Sequence, residues 1–250
     1  MTRWMAKAAL GAVLLFAAGG PALAADVQVA VAANFTEPAK QIAAAFEART
    51  HDHVLLSFGS SGQFYAQIAH GAPYEVFLSA DADRPVQAEK AGLAVAGTRF
   101  TYAVGRLVLF SKTPGLVDDR GAVLRSDRFR KLAIADPALA PYGAAAVQTM
   151  TRLGVYDALK PKLVTGTSIN QADEFVETGA AELGFVALSQ VIGESGGSRW
   201  LVPESDHAPI EQQAVLLDPG KDDQAAKAFL AFLKGPEARR VIQRFGYASR

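Results

Sequence analysis

The sequence contains no cysteine, which excludes a disulfide framework and a lipid-modified N-terminal cysteine. It has no excess of charge either: 25 Lys and Arg stand against 25 Asp and Glu, a balance that argues against a nucleic-acid partner. Histidine is scarce. His51 and His53 flank Asp52 while His70 and His207 are scattered, a pattern that reads as a solvated turn rather than a metal site. Repeats, linkers and low-complexity stretches are missing, and beyond residue 24 no apolar run is long enough to span a bilayer. The lysine of a G-x-x-x-x-G-K-[ST] loop is absent, and no G-x-S-x-G elbow surrounds Ser60 or Ser61. Nothing nominates a nucleophile with its base, which leaves an enzyme open without pointing to one; the expectation carried forward is a binding protein that is not an enzyme and uses no cofactor.

What is present begins with an address. Arg3 and Lys7 precede the short apolar run "AALGAVLLFAAGG", and "PALA" ends in an A-x-A pattern at Ala22 and Ala24. This is the layout of a secretory signal peptide over residues 1–24. The expected mature chain of about 225 residues is soluble and suits a bacterial periplasm. Half of all residues are hydrophobic, enough for a full core in one or two domains.

Strand-like and helix-like segments then alternate. "DVQVAVAA" has a strand's Val-rich alternation, and "NFTEPAKQIAAAFEART" reads as an amphipathic helix capped by Thr36, with Pro38 in its first turn and Ala39, Ile42, Ala43 and Phe46 on one face. "HVLLSF", "YEVFLSA" (Tyr74 to Ala80), "KLAIAD", "KLVTG" and "AELGFVAL" predict further strands. "GQFYAQIAHG", "YGAAAVQTMTRLG" and "INQADEFVETG" predict helices. Such spacing means βαβ units and mostly parallel sheets. Two β-rich stretches, "RFTYAVGRLVLFSK" and "QQAVLLD" (Gln212 to Asp218), flank a middle block with its own βα units. The expected arrangement is two α/β lobes joined by two crossovers: residues 25–105 with 212–250, and residues 106–211. Two C-terminal helices close the first lobe, with Phe229, Phe232, Leu233, Val241, Ile242 and Phe245 inward. Arg239, Arg240 and Arg244 read as a solvated helix face or part of a docking surface.

Ligands of α/β sheets bind beyond the carboxyl ends of strands and in clefts between lobes. Four strand-to-helix turns qualify: Ala33 and Asn34 in "VAANFT", Ser60 and Ser61 in "SFGSSGQF", Tyr142 in "ADPALAPYGAAA", and Ser168, Ile169 and Asn170 in "VTGTSINQA". Helix starts carry unpaired N–H groups and partial positive charge, so each is a potential anion seat. Taken singly, each also reads as ordinary turn chemistry: a cap at Ser60-Ser61, a turn residue at Asn34, a packed loop aromatic at Tyr142. Ile169 could offer only its backbone. As a set they are distinctive because charge is missing. No Lys or Arg lies between His53 and Arg84, and Asp136 is the one carboxylate near these turns. A site made of donors alone favours a fully ionised tetrahedral oxyanion such as sulfate, molybdate or tungstate over a protonated one. The residues themselves leave open another oxyanion or small organic acid and, more distantly, a secreted serine hydrolase.

At these residues the chain resembles the periplasmic molybdate-binding proteins of ABC importers. "VAANFTEPAKQIAAAFEARTHDHVLLSFGSSGQFYAQIAHGAPYEVFLSAD", "IADPALAPYGAAAVQTMTRLGVYDALKPKLV", "AELGFVALSQV" and "FLKGPEARRVIQRFGY" carry the likeness over essentially the whole mature chain. The resemblance implies a two-lobed type II periplasmic binding fold that closes on molybdate, and on tungstate also. It implies a monomer that delivers its anion to a membrane permease. By position it nominates Asn34, Ser61, Tyr142 and the Ile169 N–H as oxyanion donors, with Ser60 and Ala33 as neighbouring contributors. Two departures stand out. Some members have a hydroxyl residue where Ala33 stands, and another branch supplies a tyrosine where Ala187 stands, a role the tyrosine of "APYG" takes over here.

Overall fold

The computed structural model describes residues 25–248; the signal-peptide reading falls outside them. Among the described residues, ten strands form two five-stranded sheets. The first holds β1 (Asp26–Ala32), β2 (His53–Gly59), β3 (Val76–Ser79), β4 (Phe100–Gly105) and β10 (Ile210–Leu216), in the order β2-β1-β3-β10-β4. The second holds β5 (Leu107–Ser111), β6 (Leu132–Ala135), β7 (Leu163–Gly166), β8 (Leu183–Ala187) and β9 (Ser198–Leu201), in the order β7-β6-β8-β5-β9. In each sheet one strand runs against the rest: β10 is antiparallel to β3 and β4, and β5 to β8 and β9. The architecture is that of two lobes joined by crossovers. The single run expected around Arg99–Lys112 is in fact two strands that break at Arg106 and belong to different sheets. That one residue carries the first crossover.

The helices are α1 (Thr36–Thr50), α2 (Ser61–Ala69), α3 (Asp83–Lys90), α4 (Pro141–Arg152), α5 (Tyr156–Leu159), α6 (Ile169–Glu177), α7 (Leu188–Val191), α8 (Gln224–Leu233) and α9 (Pro236–Arg244). Strand periodicity sorts the first lobe's side chains between them. Val27, Val29, Val31, Val76 and Leu78 face α1, α8 and α9, where Ile42, Phe46, Phe229, Leu233, Val241 and Ile242 pack. The intervening Ala30 and Phe77 face Phe64, Ile68 and Ala88 of α2 and α3. Because both faces are covered, the central strands read as continuous apolar runs. In the second lobe one large core surrounds Leu107–Phe110, Leu132–Ala135 and Leu183–Ala187. Phe232 and Phe245 are only partly buried.

Two local expectations need correction. Thr36 does not cap α1. A short 3-10 turn, Ala33–Phe35, precedes the helix, so Thr36 is already its first residue and its hydroxyl donates back to Ala33 O at 2.7 Å. Also, β3 is shorter than Tyr74–Ala80, and β10 starts two residues before Gln212. Four further elements, α3, α5, α7 and β9, have no counterpart among the expected ones. His51 closes α1 in the left-handed region at φ 67°, which places the His51–His53 pair at a helix-to-strand turn. Among the described residues no group of three or more His, Cys, Asp and Glu could hold a metal. Arg239, Arg240 and Arg244 are exposed on α9, and Arg244 donates to Gln41 of α1 at 2.9 Å.

Asp173 on α6 raises a separate point. Its Oδ1 is buried with no hydrogen-bond partner, and burial, helped by Glu177 and Glu194 and opposed by Lys112, lifts its pKa to about 6. The folded state therefore holds this proton more tightly than the unfolded chain does. Its contribution to stability is present below about pH 4 and is lost as pH rises towards 6. Asp173→Asn should stabilise the protein at pH 7 by up to about 3 kcal/mol and do little at pH 4. Melting curves of both proteins at the two pH values check this; an equal difference at pH 4 and 7 would contradict it.

Candidate functional site: a cavity at four helix starts

Four of the first-turn segments converge between the lobes. A small cavity is lined by Ala32, Ala33 and Asn34, by Gly59, Ser60 and Ser61, by Ala140, Pro141 and Tyr142, and by Ala80 and Ile169. Every side chain nominated from the sequence — Ala33, Asn34, Ser60, Ser61, Tyr142 and Ile169 — lines it and is buried. Ser168 and Asn170 flank it. No charged side chain and no histidine is in the lining. The wider groove beside it does carry charge, from Asp81, Asp83, Arg84 and Glu211.

Local sequence explains why donors face inward. Ser60 caps α2 by accepting from Gln63 N–H at 3.4 Å, and the Gln63 side chain returns the bond to Ser60 N–H, forming a capping box. Ser61 Oγ accepts from Ala80 N–H at 2.9 Å, which leaves the Ser61 proton free to be donated. The segment before α4 offers only Ala140, so no side chain caps that helix; Pro141 has no N–H, and the N–H of Tyr142 has no intrahelical acceptor. Ser168 caps α6 through Gln171 N–H at 3.3 Å, leaving Ile169 as the first helical residue. Helix dipoles at four starts add partial positive charge without a single cation.

Two side chains behave in ways the sequence did not disclose. Both amide protons of Asn34 are committed, to Gln212 Oε1 and to the Tyr247 hydroxyl, each at 2.9 Å. Any donor Asn34 gives the cavity is therefore its backbone N–H. Tyr142 accepts from Gln212 Nε2 at 3.2 Å. Burial holds the phenols of Tyr102, Tyr142 and Tyr247 well above the ordinary tyrosine range, so all three remain protonated donors at any physiological pH.

The lobes meet around the cavity. Gly62 N–H donates to Leu139 O at 2.9 Å, Asn170 Nδ2 to Thr36 Oγ1 at 3.2 Å, and Ser189 Oγ to Asn34 O at 2.8 Å. Arg84 of the first lobe ion-pairs with Asp81 and reaches Ala138 O of the second at 2.9 Å. Sequence reasoning missed Arg84, since a cation on α3 does not announce a carbonyl 54 residues away. One hydrogen bond across the gap contributes about 1 kcal/mol. Arg84→Ala should accordingly speed ligand release about fivefold with little change in the association rate, as read by stopped-flow fluorescence. An unchanged release rate would remove Arg84 from the closing surface.

Comparison with known proteins agrees with this geometry. Residues 27–248 match the model of the family described as "Bacterial extracellular solute-binding protein". The molybdate-binding protein ModA of Rhodobacter capsulatus is 60% identical over 229 residues, 92% of this chain and 90% of that one. ModA of Azotobacter vinelandii is 58% identical over 242 residues, 96% and 95% of the two chains. Among solved structures, the Azotobacter vinelandii periplasmic molybdate-binding protein superposes with a TM-score of 0.87 at 43% identity, covering 90% of this chain and 99% of that one. The chain belongs to the bacterial extracellular solute-binding protein family, among its ModA-type members.

Proposed function

We propose that the protein captures molybdate, and tungstate with it, in the cavity at the four helix starts and hands it to an ABC transporter permease. It is a carrier and catalyses nothing. The observation that carries the reading is a small cavity lined by donors and helix starts, with no charged side chain. A dianion held by several charge-assisted hydrogen bonds can be bound at micromolar level or tighter, which needs about −8 kcal/mol. The donors are the hydroxyls of Ser61 and Tyr142, with Ser60 beside them, and the backbone N–H groups of Ala33, Asn34 and Ile169. No acceptor favours a protonated oxyanion such as hydrogen phosphate. Sulfate is smaller, so its hydrogen bonds would be stretched, and each buried donor left unpaired costs about 1–3 kcal/mol.

The moving parts in this reading are residues 25–105 with 212–250 and residues 106–211, hinged at Arg106 and at the start of β10. Export through residues 1–24 would deliver the carrier to the periplasm as a monomer. Ser61→Ala and Tyr142→Phe each remove one donor to a dianion and should each weaken molybdate binding about 10- to 100-fold. Equilibrium binding and thermal melting of the two variants test this. Unchanged affinity in both would sink the site assignment.

A further inference from the structure

The direction of the hydrogen bonds behind Tyr142 is not arbitrary. It starts at a group that can only accept, the carbonyl of Asn34, which takes the Tyr247 hydroxyl proton at 2.7 Å. Ser189 Oγ donates to the same carbonyl at 2.8 Å and is a second acceptor for the Tyr247 hydroxyl at 3.0 Å; with either oxygen Tyr247 has spent its one proton, so it must accept from Asn34 Nδ2 at 2.9 Å, and this fixes which way the Asn34 amide points. The second Asn34 proton requires an acceptor, so Gln212 presents Oε1 to it at 2.9 Å. Gln212 is thereby obliged to turn Nε2 towards the Tyr142 hydroxyl, at 3.2 Å. Tyr142 accepts from Gln212 on this side, so its own proton turns away from Gln212, and the cavity that Tyr142 lines is where it can go.

We propose that Gln212 is a positioning residue for anion binding: it relays the polarity of the Asn34 carbonyl and locks Tyr142 as a donor into the cavity. The proposal rests on the site reading above. The fold supports it locally. Gln212 is fully buried, and the β4–β10 ladder skips Tyr102 between the pairs Gln212–Ala103 and Gln213–Thr101. Such an extra residue re-aims side chains near sites, and here the Tyr102 hydroxyl also reaches Gln212 Oε1, at 3.0 Å. Gln212 and Asn34 lie in the first lobe and Tyr142 in the second, so the lock forms only when the lobes meet. A Tyr142 hydroxyl free to turn would offer the anion a lone pair in some orientations and its proton in others.

The test is a double-mutant cycle on molybdate affinity in the full mature chain. Gln212→Met removes the donor to Tyr142 and should weaken binding about tenfold when Tyr142 is present, but less than about twofold in the Tyr142→Phe background. A merely structural role would give the same loss in both backgrounds, and that result overturns the proposal. If Gln212→Met does not fold, Gln212→Glu is read the same way. Its carboxylate would take the Tyr142 proton, so its loss should be about tenfold larger with Tyr142 than with Phe at that position; equal losses, from charge repulsion alone, overturn it. Tyr142→Phe alone separates the two layers. Its failure to weaken binding contradicts Tyr142 as a donor to the anion, whereas a weakened Tyr142→Phe with additive Gln212 effects contradicts only the relay.

Discussion

Gly143→Ala should cost the protein both stability and molybdate affinity. A Cβ at Gly143 would stand 2.2 Å from Ala135 O, 2.7 Å from Ala135 C and 3.0 Å from Asp136 C. All three are backbone atoms of the strand that α4 leaves, so no side chain can swing aside. The helix start must retreat from β6, taking Tyr142 with it. Overpacking of a rigid site costs about 1–3 kcal/mol and sometimes more; with only backbone to displace, about 3 kcal/mol is expected. Molybdate affinity should fall by more than about a hundredfold, because two contributors move together: the hydroxyl and the helix N-terminus. Urea unfolding reads the first effect and calorimetric titration the second. A variant with the parent's unfolding midpoint and affinity would show that α4 is not held where β6 puts it.

Gly105→Ala is expected to hurt binding more than stability. The added Cβ would lie 2.2 Å from the Tyr142 hydroxyl and 2.7 Å from Gln212 Nε2, far inside van der Waals contact. Both atoms are at the ends of side chains, so they can be displaced, and displacing them unaims the donor. The expected loss of molybdate affinity is about a hundredfold, with about 1–2 kcal/mol of stability. The Tyr142→Phe background gives the diagnostic comparison. Without the hydroxyl the shortest contact goes, leaving Gln212 Nε2 at 2.7 Å and the ring carbon Cζ at 2.9 Å, so Gly105→Ala should cost less stability there and little further affinity. Equal costs in the two backgrounds would mean that Gly105 matters for the crossover itself rather than for the tyrosine it accommodates.

These glycines mark the boundary of what could be read beforehand. The βα rhythm was legible because strands covered on both faces are apolar over their central residues, as in Val29–Ala32 and Leu183–Ala187, while helix faces alternate. The four turns were legible because capping chemistry is local: Ser60 and Gln63 declare a helix start within four residues. What could not be read was anything joining distant parts of the chain. Asn34 meets Gln212 across 178 positions and Tyr247 across 213, and no local signal tells a buried amide which partner will claim its protons. The nearest clue was the Gln212-Gln213 pair ahead of the apolar run Ala214–Leu217, since a buried polar group must find a partner. The lobe division expected between residues 105 and 106 came from the block pattern; that the β-like run itself breaks at Arg106 did not show, because both flanking strands are largely buried and apolar. Thr36 misled because a 3-10 turn ahead of the helix shifts its start by a few residues, and hydroxyls serve either role.

Arg84 carries a further lesson about charge. The sequence places a cation at the edge of the site, yet its ion pair with Asp81 ties it to a carboxylate and its remaining reach goes to Ala138 O. It contributes to closure rather than to the anion, and the cavity keeps its neutral lining.

The central claim is that neutral, pre-aimed donors select a large, fully ionised tetrahedral oxyanion. Titration calorimetry of the mature protein with molybdate, tungstate, sulfate and phosphate at pH 7 tests it most directly. The account predicts one-to-one binding of molybdate and tungstate at micromolar level or tighter, with sulfate and phosphate weaker by about a hundredfold or more, equivalent to two or more poorly met donors. Sulfate or phosphate binding as tightly as molybdate would contradict the size argument and the donor ring together.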